Sequence, residues 1–304
     1  MRNAFANSIT DLARNNDRIV LLSGDIGNRL FDDFKQNYPN RFFNCGVAEA
    51  GMTGISAGLA SSGLLPVTYT ISTFNTLRCI EQIKLDICYP CLPVVIVGTG
   101  AGLSYAKLGA THHSTDDIGM MRLLPNIRIL CPADSIEVRH ALESAIFSKR
   151  PTYIRLGKKG EKKVHDDNKS LGEGKSIVVR EGEGIAIIGV GNTVQLGLEV
   201  VVELEKKGKK PNLTSLYSVK PLDEEMHDEL FRNFEKIVIL EEHFYMGGAC
   251  STILEWGATR GKDLTKIKGF GLPNKFFSPT SSQQMLRYEC GLCVERIVDF
   301  IENK

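Results

Sequence analysis

The stretch GATHHSTDD, residues 109–117, sets His112 beside His113 and Asp116 beside Asp117 in one glycine-bounded loop. Histidine is the side chain whose ordinary pKa lies nearest neutrality, so it suits proton transfer and hydrogen bonding to a reacting group. A metal site fits poorly. Adjacent histidines in an extended or loop segment point apart, and no His/Cys pair at ligand spacing accompanies them. Glu49, in NCGVAEAGMTGISAGLASSG, lies in the first turn of an expected helix, where the helix dipole favours a carboxylate. That alone describes any acidic residue at the start of a surface helix. Gly51, Gly54, Ala57 and Gly58 then follow at helical spacing and leave a smooth face that another element or subunit can approach closely. Phe74, in YTISTFNTLRCIEQ, stands at a strand-to-helix junction, and a flat ring there can stack on a planar ligand. Taken alone, Phe74 reads more simply as core.

The elements that must position these residues are legible from apolar runs. RIVLLSGD (18–25), LPVTYTIS (65–72), LPVVIVGTG (92–100), IRILCPAD (127–134) and PTYIRLG (151–157) read as strands. Helices are expected over 47–63, 76–89 and SIEVRHALESAIFS. Nearly continuous apolar strands between helices imply a parallel sheet covered on both faces. Loops at the carboxyl ends of such strands are where ligands bind, and the three candidate residues fall in or just after such loops. The same rhythm resumes with GIAIIGVG (184–191), NLTSLYS (212–218), KIVILEEH (236–243) and TKIKGFG (265–271). The expected fold class is α/β, with two doubly wound domains on largely parallel sheets. Their spans are residues 1–160 and 184–304, joined by a linker and domain entry over 161–183. The charged, glycine-rich KKGEKKVHDDNKSLGEGK (158–175) marks that linker, and His165 within it reads as a solvated residue. GVGNTV lacks the third glycine of a dinucleotide loop and reads as a tight turn. Asp116 or Asp117 is expected to cap the short helix DIGMMRLL.

A chain of 304 residues with 42% hydrophobic and 24% charged residues has the makings of an ordinary soluble core. Net charge of +1 gives no electrostatic reason for nucleic-acid or membrane binding. With no apolar leader and no long apolar run, a cytoplasmic location is expected. The eight cysteines sit mostly in apolar surroundings and read as reduced core thiols. The pairs Cys88/Cys91 and Cys290/Cys293 have zinc-ribbon spacing within each pair but lie roughly two hundred residues apart, far from the spacing such ribbons use.

GVAEAGM, STF, GATHH, RLLPNIRILCPAD, EEHFYMGG and GFGLPNKFF, in this order along nearly the whole chain, resemble the pyrimidine-binding and C-terminal domains of the thiamine-diphosphate-dependent transketolase family. The resemblance assigns roles. Glu49 matches the glutamate that hydrogen-bonds a ring nitrogen of the cofactor's aminopyrimidine and so promotes loss of the thiazolium proton. Phe74 matches the aromatic stacked on that ring. His112 matches a histidine that binds substrate oxygens at the reacting carbons. Asp25 and Ile26, in SGDIG, fall at family positions near the cofactor. Arg2 and Lys158 fall where relatives carry arginines for the sugar phosphate.

Two departures matter. The GDG…N motif, which in relatives holds Mg²⁺ (or Ca²⁺) and the diphosphate, is absent. The resemblance is therefore to the C-terminal subunit of a split transketolase, needing an N-terminal subunit that carries that motif in an α2β2 assembly. The substrates implied are sugar phosphates or other anionic sugars. Leu108 also replaces an aspartate that contacts a substrate hydroxyl in full-length relatives, with Tyr105 and Lys107 as alternative contacts. The competing readings are the beta subunit of a 2-oxo acid dehydrogenase first component and a non-catalytic paralogue. THH and RLLPN favour transketolase over the first. Glu49, Phe74 and His112 together argue against the second, since a fold alone needs none of them.

Overall fold

The computed structural model describes residues 1–27, 29–165, 174–279 and 282–303. Strands β1 (Ile19–Ser23), β2 (Phe42–Asn44), β3 (Leu65–Ile71), β4 (Val95–Thr99), β5 (Arg128–Leu130) and β6 (Thr152–Leu156) form one sheet in the order β5-β6-β4-β3-β1-β2, all parallel. Every residue of β1, β3, β4 and β6 is buried, which is why these strands read as unbroken apolar runs rather than alternating ones. Beyond residue 174 come β7 (Ile177–Arg180), β8 (Gly184–Gly189), β9 (Asn212–Ser215), β10 (Ser218–Lys220), β11 (Phe234–Phe244) and β12 (Ile267–Leu272). A second sheet runs β12-β11-β8-β9-β7, parallel except for β7. The two-sheet, largely parallel α/β architecture expected from the sequence is thus observed.

Three local expectations are corrected. The run 212–218 is not one strand: β9 ends at Ser215, and β10 crosses to the first sheet and pairs antiparallel with β5. Both segments are buried, so an apolar pattern cannot mark where the chain changes sheet. The expected helix 76–89 is a 3₁₀ turn (Leu77–Cys79), a short α turn (Ile80–Gln82) and a π segment (Ile83–Cys88). Its buried positions Cys79, Ile83 and Ile87 recur every four residues. A regular α-helix would rotate them about 40° per step, a drift that the wider π turns over Ile83–Cys88 reverse, returning Ile87 to the face of Cys79. His165 is not solvated. It is 7% exposed, and its Nε2 lies 2.6 Å from Glu137 Oε1. Asp134, which caps the helix Ser135–Ser148, also accepts from the Val164 and His165 amides. The charged stretch is therefore anchored to the first unit at its start.

β7 lies inside the stretch 161–183 expected as linker and domain entry. One apolar core includes residues of both units, with Ile129 and Tyr153 in the same cluster as Ile188, Val219 and Ile239. Cys79, Cys88, Cys131 and Cys250 are buried in it as free thiols.

Candidate functional site

Five adjacent parallel strands of the first sheet, β6, β4, β3, β1 and β2, all point their carboxyl ends to the same edge. Lys158 follows β6, the loop holding His112 follows β4, Phe74 follows β3, Asp25 and Ile26 follow β1, and Glu49 follows β2. Sequence-distant residues are thereby brought to one rim. Phe74 is held in the short helix Ser72–Asn75, which Asn75 pins by donating to the carbonyl of Val97 at 2.9 Å. This turn lies on β4 at Gly98, where an added Cβ would stand 2.8 Å from Ser72 Cα, so only glycine admits the approach.

The Phe74 and His112 rings meet edge to face, with centroids 5.1 Å apart. Tyr105 lies 5.9 Å from His112 on the same loop, and Lys158 Nζ sits 4.2 Å above the Tyr105 ring. Burial pulls the His112 pKa below its ordinary value, and the charges of Arg78 and Lys158 lower it further. The imidazole is therefore neutral near pH 7. Thr111 Oγ1 lies 2.9 Å from His112 Nδ1. The same hydroxyl also reaches the Leu108 carbonyl at 3.4 Å; when it donates instead to the nearer Nδ1, Nε2 carries the proton and can donate to a ligand oxygen.

Glu49 opens the helix Glu49–Ser61 and is 3% exposed. Arg78 donates to its Oε2 at 2.6 Å while the guanidinium carbon lies 4.3 Å from the Phe74 ring centroid. Arg78 was not among the residues expected from the sequence. Arg2 stands near enough for its charge to oppose the burial that raises the Tyr105 hydroxyl, and the one that pushes Tyr69 up to about 12. Burial lowers the Lys158 pKa, and Lys159, Arg2 and Lys107 add to this, so four cations share one corner. Asp25 is exposed and accepts from Asn44 Nδ2 at 3.3 Å, and Ile26 is half-buried beside it. Leu108 is 49% exposed and offers no hydrogen bond from its side chain.

The His112 loop is clamped by charges absent from the sequence reading. Glu242, fully buried at the end of β11, accepts from the Leu103 amide at 2.8 Å, from Asn192 Nδ2 at 3.0 Å, and from Gln283 and Arg287. Gly102, with φ +61°, lies so close that a Cβ would be 2.6 Å from Glu242 Cγ. At the loop's far side Arg155 donates to the carbonyls of Ser114 and Glu242 and, at 2.8 Å, to Asp117. Gly102 and Ser114 are themselves bridged. Asp117 therefore does not cap its helix. Arg155 and the Tyr153 hydroxyl take one of its oxygens, and the arginine's charge holds the carboxyl below its usual range despite complete burial. Asp116 makes no side-chain cap bond either. His243, whose pKa burial also lowers, accepts from the Gly119 amide at Nε2 and donates from Nδ1 to the Phe244 carbonyl, which fixes its tautomer. A lone Arg inside the apolar strand PTYIRLG and the charged end of KIVILEEH were the available signals.

A buried carboxylate beside a half-buried aromatic, with the buried Thr70 hydroxyl left unpaired near the end of β3, fits the pyrimidine half of thiamine diphosphate. Along the helix bearing Glu49, an added Cβ would meet nothing within 4 Å at Gly51, Gly54 or Gly58. Ile55 and Val47 are exposed at 55% and 78%. Ala57 is instead buried, so the smooth face is narrower than its four small residues suggest.

Residues 1–161 match the transketolase pyrimidine-binding domain and residues 174–297 the transketolase C-terminal domain. The chain is 34% identical over 266 residues to one of the subunits of the apulose-4-phosphate transketolase of Actinobacillus succinogenes, covering 88% of this chain and 85% of that one. It is 31% identical to a 6-deoxy-6-sulfo-D-fructose transketolase subunit of a Clostridium species over 84% of this chain and 80% of the other. The 1-deoxy-D-xylulose-5-phosphate synthase of Syntrophus aciditrophicus is 33% identical over 93% of this chain, which spans 44% of that enzyme. Among solved structures, a split-gene transketolase, described as an inactive beta4 tetramer, superposes with a TM-score of 0.90 at 30% identity, covering 99% of this chain and 96% of that one. The chain belongs to the transketolase family, built from that family's pyrimidine-binding and C-terminal domains.

Proposed function

We propose that this chain is the C-terminal subunit of a two-chain transketolase, active only with an N-terminal subunit that carries the GDG…N motif. The observation that carries this reading is the meeting of Phe74 and His112 beside the buried Glu49 at one sheet edge. When bound, thiamine diphosphate supplies the nucleophilic carbon and electron sink for breaking and remaking a carbon–carbon bond. Glu49 holds a hydrogen bond to the pyrimidine ring nitrogen, Phe74 stacks on the ring, and Asp25 and Ile26 line its approach. Neutral His112 donates from Nε2 to the substrate oxygens at the reacting carbons. Arg2 and Lys158 take the anionic tail of a ketose, a phosphate or a sulfonate as in the substrates named for the relatives, and Lys107 adds to that charge. Magnesium or calcium sits mainly on the N-terminal subunit. The uncovered glycine face of the Glu49–Ser61 helix packs on that subunit in an α2β2 assembly. Among the described residues no helix is long and apolar enough to cross a membrane. That fact and the eight free cysteines support a cytoplasmic setting.

The test is transfer by the two chains together, supplied with thiamine diphosphate, Mg²⁺, an aldose and a panel of anionic ketoses. Two-carbon transfer that needs both chains is the expected result. Acyl transfer from a 2-oxo acid alone would move the protein to the dehydrogenase reading, and inactivity with every donor would favour the non-catalytic one.

A further inference from the structure

We propose that Arg78 is an internal stand-in for the cofactor's pyrimidine ring and sets how tightly this chain's half of the site accepts it. The inference rests on the reading of Glu49 and Phe74 as the pyrimidine contacts. A planar ring in that site needs a carboxylate to hydrogen-bond its nitrogen edge and an aromatic face to stack on. The Arg78 guanidinium is planar, donates along its edge and stacks on aromatics. It uses both features at once, with Nη1 2.6 Å from Glu49 Oε2 and the guanidinium carbon 4.3 Å from the Phe74 centroid. One side chain thereby engages both the carboxylate and the aromatic assigned to the ring.

The surroundings make this a replaceable contact. Glu49 is 3% exposed, whereas the Arg78 side chain is 43% exposed. Swinging Arg78 into solvent exposes little, while leaving Glu49 without a partner would strand a buried carboxylate. Such a pair keeps the pocket satisfied while the ring is absent and is exchanged when the ring arrives, with one proton taken up from solvent between Glu49 and the ring nitrogen so that a donor faces an acceptor. Arg78 sits on the 3₁₀ turn Leu77–Cys79, ahead of the irregular π segment, and not within a regular helix.

Calorimetric titration of thiamine diphosphate with Mg²⁺ into the two-chain complex tests this, comparing wild type with Arg78→Met, Glu49→Gln and the double variant. Methionine keeps an apolar side chain over Phe74 and removes the charge. The expected result is cofactor binding about tenfold tighter in Arg78→Met. The gain should vanish in the Glu49→Gln background, because the competition is for that carboxylate. Unchanged or weaker binding in Arg78→Met overturns the proposal and makes Arg78 a residue that orients Glu49 for the cofactor. Tight wild-type binding that Glu49→Gln leaves untouched overturns the assignment of Glu49 itself. No binding to any of the four complexes overturns both.

Discussion

Arg155 and Arg78 each hold a carboxylate, Asp117 and Glu49, and the two pairs live in opposite surroundings. The first is closed on every side: Arg155 is 2% exposed, Asp117 is fully buried, and the same guanidinium also holds the carbonyls of Ser114 and Glu242. The second is open. Arg78 lies at the lip of the rim over a half-buried ring, beside helix positions that no other described residue covers. Charges in the seam are satisfied within the chain and hold the His112 loop in place. Those at the rim have partners that a ligand or a second chain can replace.

The contrast breaks first at Arg155. Replacing it with methionine strands Asp117 and should cost about 3–5 kcal/mol in urea unfolding. Arg78→Met should cost less, about 1–3 kcal/mol, because Glu49 is buried but Arg78 is 43% exposed and water can enter the vacated place. Equal costs would erase the distinction between seam and rim.

Glu241 gives the seam a pH signature. Burial raises its carboxyl from 4.5 to about 7, even though the Ala249 and Cys250 amides at a helix start hydrogen-bond its oxygens. A carboxyl raised by folding binds its proton more tightly in the folded chain. Its contribution is fully present below the unfolded value and is lost as pH rises through about 7. Stability followed by thermal unfolding from pH 4.5 to 8 should therefore fall by about 3 kcal/mol more in wild type than in Glu241→Gln. Parallel curves would show that the amides and Arg155 fully offset the burial.

Glu242→Gln keeps the shape but loses the charge that Arg287 and the Leu103 amide share. About 1.5–3 kcal/mol of stability should go, with faster hydrogen exchange at Leu103 and Ser114 than elsewhere in the sheet. Uniform exchange would separate Glu242 from the loop. The smallest effect is expected at Lys158, where methionine should raise KM for an anionic ketose about threefold to tenfold and flatten its salt dependence, with kcat little changed.

What the sequence conveyed follows the same division. Buried parallel strands carry their own signal, so β1, β3, β4, β6, β8 and β11 were legible as apolar runs, and with them the edge that gathers Glu49, Phe74 and His112. The seam was not, because its charges pair across long separations. Arg155 meets Asp117 across 38 residues and Glu242 meets Leu103 across 139. Neither spacing has a local period. His165 differs from its sequence expectation for the same reason: its partner Glu137 lies 28 residues away on the helix Ser135–Ser148, and only the fold reveals that the pair is buried. Arg78 was hidden by a different cause. An arginine in an amphipathic stretch reads as solvent-facing, and the irregular turns over 77–88 re-aim it toward Glu49.

The central claim is that the rim of this chain is half of a carbon–carbon transfer site. The most direct measurement compares wild type and Glu49→Gln, each assembled with the N-terminal subunit, for two-carbon transfer from an anionic ketose in the presence of thiamine diphosphate. A loss of about 10²–10⁴ in kcat with unchanged folding and assembly is the predicted result. Transfer that survives in Glu49→Gln, or that this chain performs without the second subunit, would contradict it.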